Sequence, residues 1–176
     1  IRDKLTAEIA VKLANTGHLT LSTLHTNDAP SAVSRLYKMG IEPFLIAYSI
    51  NIIVAQRLIR KLCERCKSPV SEPDVEAILK LGMTKEEIHA AKFYQPIGCS
   101  DCIKGFKGRI AIHEALFFTK KIRQLILDAG QSVNEEAVRQ LAIQNGMRTL
   151  RDNALELLKK GITTFEEVAS VTADEE

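Results

Sequence analysis

Two pairs of cysteines carry the most specific chemistry in this sequence. Cys63 and Cys66 form one C-x-x-C pair, and Cys99 and Cys102 form a second pair that is separated from the first by 32 residues. Each pair can present two thiolates on a tight turn, and two such turns complete the tetrahedral four-sulfur shell that zinc prefers. The spacing therefore predicts a structural zinc site. With four protein ligands the metal has no open position, so its predicted role is in folding and not in catalysis.

Two other uses of the cysteines remain open from the sequence alone. A redox-active C-x-x-C needs only one pair in a thioredoxin-like setting, and a pair of disulfides needs an oxidising compartment. The loop between the pairs is longer than usual for a zinc ribbon. It carries a helical pattern from Ser71 to Ala91, with a helix-start signal at Thr84 and Glu87. A folded insertion of this kind adds little to the entropy of closing the loop.

The composition is that of a globular chain with one sizeable core. Of the 176 residues 45% are hydrophobic, 26% are charged and 5% are aromatic, which excludes intrinsic disorder. The strongly apolar run from Pro43 to Gln56 is shorter than the roughly 18 residues that a membrane helix needs. With no leader pattern and few cysteines, we expect a cytoplasmic setting. The first residue is Ile1 and not Met, which suggests a piece of a longer chain.

The charges are distributed unevenly along the chain. The formal net charge is +2, but residues 57–109 carry 11 basic and 7 acidic side chains, and residues 132–176 carry 5 basic and 9 acidic ones. A nucleic-acid-binding surface usually has a denser basic face with aromatic side chains that stack on bases. The basic segment contains only Phe93, Tyr94 and Phe106 as aromatics. We therefore expect a solvated surface and no nucleic-acid partner.

The first 56 residues alternate between helical and extended patterns. Apolar side chains recur at three- and four-residue steps from Thr6 to Thr16, which predicts a helix that ends at Gly17. The period-two pattern of His18 to Thr23 predicts a strand. Asp28 is placed to cap a helix that runs to about Lys38. Pro43 suits the first turn of a further helix in the apolar run to Val54. This alternation is typical of an α/β fold.

The second half of the chain has a different pattern. Residues Gly108 to Phe118 are rich in β-formers and predict a strand. From Thr119 onward, hydroxyl residues followed three positions later by an acid predict helix starts, and we expect four short helices. The three predicted helix starts are at Ser132, Thr149 and Thr163. The predicted segments are residues 1–62 (α/β domain), 63–105 (zinc module) and 106–176 (strand and helical subdomain).

Several short runs occur in a characteristic order. They are Ile1-Arg2-Asp3, Thr16-Gly17-His18-Leu19, Ser22 to Ala29, Ala55-Gln56-Arg57-Leu58, Gly105 to Arg109 before a strand ending at Glu114, and Gly146 to Leu150. Together they resemble the region after the Walker B strand in the ATPases of type II secretion and type IV pilus assembly. Retraction motors of that superfamily usually lack the cysteines, so the resemblance favours an assembly or export motor. The tail that begins at Gly161 is more similar to pilus assembly ATPases.

The resemblance implies the C-terminal half of a RecA-like P-loop ATPase domain with an inserted zinc module. Its phosphate loop and catalytic glutamate are then expected upstream, the glutamate directly before Ile1. The motif G-x-x-x-x-G-K-[ST] does not occur in the 176 residues. By the same resemblance, His25 lies near the γ-phosphate and is the candidate catalytic residue. An imidazole at that place can donate a hydrogen bond to the phosphate as its charge develops.

Arginines are the further candidates for contact with the nucleotide. Arg57, Arg60 and Arg109 could reach phosphate groups, in the same subunit or across a ring interface, because a guanidinium suits that task. The alternative for each is an ordinary surface arginine beside a metal site. The other histidines are expected to be structural: His18, His89 and His113.

Arg2 and Asp3 match an Arg-Asp pair that the family carries after the Walker B strand. They are expected to orient the nucleotide site or to pair with each other. Leu5 departs from the pattern, because the family commonly has an acidic residue there. Any role of that acidic side chain is therefore not carried over to this chain.

The function implied by the resemblance is that of a hexameric cytoplasmic ATPase that powers type IV pilus assembly. Type II secretion is the alternative within the family, and a zinc-stabilised module that binds nucleic acid or protein is the alternative of another class. The implied cofactors are structural Zn²⁺ and, for the full-length protein, ATP and Mg²⁺. The implied partners are the other subunits of the hexamer and an inner-membrane platform protein. The chain by itself, without a phosphate loop, is expected to be inactive.

Overall fold

The computed structural model describes residues 1–130 and 132–173, which form nine helices and four strands. The chain packs as two compact units. The first unit comprises Ile1–Ala55 and Glu114–Arg148, and the second comprises Gln56–His113 and the residues from Thr149 onward. The three segments expected from the motifs follow sequence features and stay a prediction.

The elements confirm a mixed α/β chain. None of the described helices is long and apolar enough to cross a membrane. The strands are β1 (Ile52–Leu62), β2 (Ser68–Pro69), β3 (Tyr94–Gln95) and β4 (Phe106–Phe117). The helices are α1 (Lys4–Asn15), α2 (Ala29–Lys38), α3 (Pro43–Ser49), α4 (Val75–Lys80), α5 (Lys85–Ala90), α6 (Lys120–Leu127), α7 (Glu135–Gln144), α8 (Leu150–Lys159) and α9 (Phe165–Val171).

The core of the first unit lies among its helices. Helix α2 packs on α7, and α3 packs on α1 and α6. Ile122 and Ile126 are one helical turn apart on α6 and both are fully buried, as the four-residue spacing of an amphipathic helix requires. Other fully buried side chains of this core are Val33, Ile46, Leu116 and Val138.

In the core of the second unit, strands β1 and β4 pack against side chains of four helices. β1 and β4 pair with each other, and β2 pairs antiparallel with β3, with Ser68 opposite Gln95. Ile59 of β1 and Ile112 of β4 are buried together with side chains of α4, α5, α8 and α9. Helices α4 and α5 lie between the two cysteine pairs in the sequence, whereas α8 and α9 lie near its C-terminal end. Residues far apart in sequence therefore share one core.

The sequence pattern predicts a helix where strand β1 begins. The run that starts at Pro43 forms a helix only to Ser49, and Ile52–Leu62 is an 11-residue strand. A dense apolar run does not distinguish a helix from a strand, because both can be buried on all sides. Pairing with β4 decides the conformation of this segment.

The predicted strand at His18 to Thr23 is wrong for this structure. These residues are irregular, and Leu19 and Leu21 are 90% and 87% exposed. A strand needs a neighbour that takes up its backbone N–H and C=O groups. Neither of the two sheets in the described residues offers one at this place.

Four helices follow Thr119, as predicted, but two of their starts differ. Asn134, and not Ser132, caps α7 by accepting the N–H of Ala137 at 3.1 Å. Thr164, one residue after the predicted Thr163, caps α9. The starts at Thr149 and Thr84 are confirmed as reciprocal capping boxes. A hydroxyl–acid spacing indicates candidate cap residues. Packing in the folded chain decides which of these residues caps the helix.

Candidate functional site

The four cysteines lie together in the second unit. The Sγ atoms of Cys63, Cys66, Cys99 and Cys102 are all within 4.8 Å of one another. Cys63 and Cys99 are 3.9 Å apart, and Cys66 and Cys102 are 3.7 Å apart. Zinc–sulfur bonds of about 2.3 Å in a tetrahedron place the sulfurs about 3.8 Å apart. The cluster therefore fits a tetrahedral metal ion, and its separations are far longer than a disulfide bond.

Backbone groups orient the sulfurs within this cluster. The N–H of Gly98 donates to Sγ of Cys66 at 3.3 Å, and the N–H of Cys99 donates to Sγ of Cys102 at 3.2 Å. The N–H of Lys67 donates to the carbonyl of Cys63 at 2.9 Å and closes the first turn. Such outer hydrogen bonds hold metal ligands in place and stabilise their thiolate form.

The thiols hold their protons unequally. Burial raises the pKa of the Cys66 thiol to about 11. Burial acts in the same direction at Cys102, but N–H groups of Cys99 and Gly105 and the neighbouring thiols stabilise its thiolate and lower the pKa to about 7. A metal binds thiolates, so metal binding at this cluster releases protons and weakens as the pH falls.

The turn between α8 and α9 lies against the first cysteine turn. The N–H of Leu62, just before Cys63, donates to the carbonyl of Ile162 at 2.8 Å. Lys67 donates to the carbonyl of Gly161 at 3.0 Å, and its ammonium lies 4.7 Å from the ring centroid of Tyr94. Gly161 has a φ of 64°, and a Cβ there would lie 2.6 Å from the Tyr94 ring. Glycine is therefore required where the C-terminal helices contact the cysteine module.

Arg60, a predicted phosphate-binding candidate, is engaged within the second unit. Its guanidinium forms an ion pair with Glu167 of α9 and lies 4.2 Å from the ring centroid of Phe106. Its backbone N–H donates to Oε2 of Glu167 at 3.1 Å, and its carbonyl accepts from the Thr163 hydroxyl at 2.9 Å. The guanidinium holds the pKa of Glu167 below its usual range. Arg60 thus joins β1 to α9, and contact with a phosphate stays a prediction.

The other two arginine candidates lie on the two long strands of the second unit. Arg57 is half-buried on β1, and Arg109 is exposed near the start of β4. Their contact with a nucleotide stays a prediction.

His25 lies in the first unit, on the irregular segment between α1 and α2. Its side chain is exposed, and no described residue is hydrogen-bonded to its ring. It comes three residues before Asp28, the N-cap of α2. The structure therefore leaves the imidazole accessible and places it directly before a fixed helix start.

The start of α2 is held by two carboxylates. Asp28 accepts the N–H of Ser31 at 2.7 Å and forms an ion pair with Arg139 of α7. Glu114 of β4, which is 1% exposed, accepts the N–H of Ala29 at 2.6 Å. The capping role of Asp28 was predicted, but the roles of Glu114 and Arg139 were not. Glu114 offered a signal, as a single acid within an apolar strand, whereas Arg139 offered none.

Arg2 and Asp3 are both exposed at the start of the first unit. Asp3 caps α1 by accepting the N–H of Thr6 at 2.9 Å, and the Thr6 hydroxyl donates to the same carboxylate. These hydrogen bonds hold the pKa of Asp3 below its usual range. Leu5 is 67% exposed on the first turn of α1. The structure thus gives Asp3 a capping role, and its predicted part in a nucleotide site stays a prediction.

Comparisons with known proteins cover nearly the whole chain. The chain is 48% identical over 174 residues to the type IV pilus assembly ATPase PilB of Myxococcus xanthus, which covers 98% of this chain and 30% of that protein. It is 43% identical over 176 residues to the type II secretion system ATPase E of Vibrio cholerae, which covers 99% of this chain and 33% of that protein. The chain thus spans about a third of the length of these relatives.

A solved structure and a family model also match nearly the whole chain. The chain resembles the X-ray structure of the ATPase DotB of Yersinia pseudotuberculosis with a TM-score of 0.65, at 20% identity, over 98% of this chain and 35% of that one. At this identity the likeness establishes the fold alone. The model of the family described as "Type II/IV secretion system protein" matches residues 1–170. The chain therefore belongs to the type II/IV secretion system protein family.

Proposed function

We propose that this chain is the C-terminal part of a hexameric ATPase that powers type IV pilus assembly by extracting pilin subunits into the growing fibre. The observation that carries the proposal is the 48% identity to a pilus assembly ATPase over 98% of the chain. The chain spans 30% of that relative, so the activity belongs to a longer protein. Type II secretion is the alternative, supported by the 43% identity to a type II secretion ATPase.

In this proposal residues 1–62 are the C-terminal part of a RecA-like nucleotide-binding domain. The mixed α/β elements and the likeness to an ATPase structure support it. The phosphate loop is proposed to lie in the part of the full-length protein outside this chain, since the sequence has no G-x-x-x-x-G-K-[ST] motif. The family resemblance implies the same for the Walker B glutamate. Mg²⁺ bound with ATP in the full-length protein would neutralise charge on the phosphates.

His25 is the proposed catalytic residue of this chain. Its exposed imidazole, directly before α2, is free to approach a γ-phosphate and to donate a hydrogen bond to it. Such a bond would stabilise the charge of the γ-phosphoryl group in the transition state, and it would tie hydrolysis to the position of α2. Arg57 and Arg109 are proposed to reach phosphate from the same or a neighbouring subunit. For Arg60 the contacts with Glu167 support a structural role, and its contact with a phosphate stays a prediction.

The metal proposed for the cysteine cluster is zinc in a structural role. Cys63, Cys66, Cys99 and Cys102 would hold it, and its chemistry would be limited to binding four thiolates. Leu62 and Lys67 contact the turn before α9, so such a metal would also stabilise the position of that turn. The cluster is thus proposed to stabilise the second unit and to take no part in ATP hydrolysis.

We further propose that the full-length protein works in the cytoplasm at the face of the inner membrane. Its partners there would be the other subunits of its hexamer and an inner-membrane platform protein, which it would drive by conformational change. This proposal rests on the family and on the functions of the named relatives.

A chimera tests the proposed function. This chain would replace the matching C-terminal third of PilB in a Myxococcus xanthus strain that lacks its own PilB. We expect surface pili to be restored, and we expect His25→Ala in the chimera to abolish them at equal protein level. A chimera that is stable and hexameric but restores no pili would contradict pilus assembly. Restored secretion by the matching chimera with the Vibrio cholerae ATPase, without restored piliation, would select the alternative.

A further inference from the structure

The start of α2 is fixed by two buried carboxylates that come from separate parts of the chain. Asp28, 6% exposed, accepts the N–H of Ser31, and Glu114 on β4, 1% exposed, accepts the N–H of Ala29. Arg139 of α7 pairs with Oδ2 of Asp28, the oxygen that does not accept the Ser31 N–H, and 21% of the Arg139 side chain is exposed. The N–H groups of Ala29 and Ser31, which have no partner within the helix, are satisfied in this way, and Pro30 between them has no N–H to satisfy.

Such an arrangement restricts the position of the helix start closely. Burial disfavours a charged Asp28, but the N–H and hydroxyl of Ser31 and the Arg139 guanidinium outweigh it and hold the pKa of Asp28 below its usual range. A buried carboxylate that loses its partners becomes an uncompensated buried charge and destabilises the fold. The first turn of α2 therefore stays in one place relative to β4 and α7.

We propose that Glu114 and Arg139 are positioning residues for His25, in the ATP hydrolysis proposed above. No described residue is hydrogen-bonded to the His25 ring, so the backbone that leads into α2 sets where the imidazole lies. That backbone ends at Asp28 and Ala29, the two residues that Arg139 and Glu114 hold. The inference rests on the proposed function, because His25 must act on the nucleotide for its placement to matter.

The test measures ATP hydrolysis by the full-length protein. Glu114→Ala and Arg139→Gln are expected to lower kcat about tenfold to a hundredfold with little change in KM, since small displacements of a catalytic group act on the chemical step. Glu114→Gln keeps an oxygen that accepts the Ala29 N–H and is expected to recover most of kcat. Arg139→Lys keeps the charge but not the guanidinium, and we expect an intermediate value.

The chain offers a matched control in a second ion pair between the same two helices. Lys38 of α2 and Glu135 of α7 pair at 3.6 Å, far along α2 from its start, and both side chains are well exposed. Lys38→Gln removes a link between α2 and α7 without touching the residues around His25. We expect kcat of this variant to equal that of the unchanged protein. A loss as large as that of Arg139→Gln would overturn the positioning role in favour of general helix packing.

A second measurement on the 176-residue chain needs no ATP. In NMR spectra, Glu114→Ala and Arg139→Gln are expected to shift the His25 ring signals and the amide signals of residues 26–29, and Lys38→Gln is expected to leave them in place. Unchanged His25 signals in folded Glu114→Ala and Arg139→Gln would overturn the inference. The proposed function fails separately: it fails when His25→Ala leaves ATP hydrolysis intact, whatever the spectra show.

Discussion

At the scale of single residues, the structure separates charged groups that stabilise the fold from those left free to act. Arg60 and Glu167 hold β1 against α9, and Asp28 and Arg139 hold α2 against α7. His25 and Arg109 are exposed. Sequence patterns treated Arg60, Arg109 and His25 alike as candidates. Ion pairing within the fold gives Arg60 a structural use, whereas His25 and Arg109 stay accessible.

Glu167→Gln should destabilise the second unit in a pH-dependent way. Arg60 lowers the pKa of Glu167 in the folded state, so the ion pair contributes stability above the unfolded pKa of about 4.3, and this contribution is lost as the pH falls through the folded pKa. Because the Arg60 side chain is 52% exposed, we expect a loss of only about 1 kcal/mol at pH 7. Urea unfolding at pH 7 and at pH 3 measures it.

The neighbouring residue supplies the control for that experiment. Glu166 is exposed on the same turn of α9, so Glu166→Gln should change the free energy of unfolding little at either pH. Equal effects of the two variants at pH 7 would contradict the assigned role of the Arg60–Glu167 pair.

At the scale of elements, helix starts show what local sequence decides and what it leaves open. Thr149 and Thr84 begin helices as their hydroxyl–acid spacing predicts. Ser132 has the same spacing to Glu135 but does not cap α7, because Asn134 does. The segment from His18 to Thr23 has a strand pattern and no partner strand, and Ile52–Leu62 lacks a clear pattern but pairs with β4.

The two candidate caps of α7 make a direct comparison. Asn134→Ala should lower the free energy of unfolding by about 1 kcal/mol, because the N–H of Ala137 loses its acceptor. Ser132→Ala should change it by less than about 0.5 kcal/mol, as expected for an exposed position outside the cap. Thermal and urea unfolding of the two variants side by side measures both values. The reverse order of effects would restore the sequence-based assignment of Ser132.

At the scale of the whole molecule, the chain consists of two units that are stabilised in different ways. The first unit has a helical core of its own around Ile46, Leu116 and Val138. The second unit collects short elements around the four cysteines, and its C-terminal helices contact the cysteine module through Leu62 and Lys67. Small elements of this kind gain much of their stability from a bound metal.

Metal removal is therefore expected to affect the two units differently. Purified chain should contain about one zinc per molecule. After chelation, hydrogen exchange should increase in the cysteine turns and at the amides of α8 and α9, while α2, α6 and α7 keep their protection. Lowering the pH should release zinc in the same pattern, because the thiolates take up protons. Purified protein that holds disulfides and no zinc would contradict the metal assignment.

ATP hydrolysis should require more than this chain. The 176 residues have no phosphate loop to cradle the β- and γ-phosphates. We expect no turnover above background in a phosphate-release assay with the chain alone. A PilB chimera that carries the chain behind a relative's phosphate loop should be active in the same assay. Comparable turnover by the chain alone would contradict the proposed arrangement of the site.

Features that depend on near neighbours or on residue type could be predicted from the amino-acid sequence. The spacing of the cysteines predicted a single cluster, turn residues and caps placed most helices, and the order of the motifs indicated the family, which the comparisons confirmed. These features are local, or they are carried by identity and spacing alone.

Contacts between distant segments of the chain depend on the fold and could not be predicted in this way. The tertiary structure placed Glu114 and Arg139 at the start of α2, paired β1 with β4, and set Arg60 against Glu167, 107 residues away. No local pattern encodes such contacts, because the free energy of a buried charge or an isolated strand depends on which partner the fold brings to it. For that reason the cysteine cluster and the family could be anticipated from the sequence, and the contacts of Glu114 and Arg139 at the start of α2 could not.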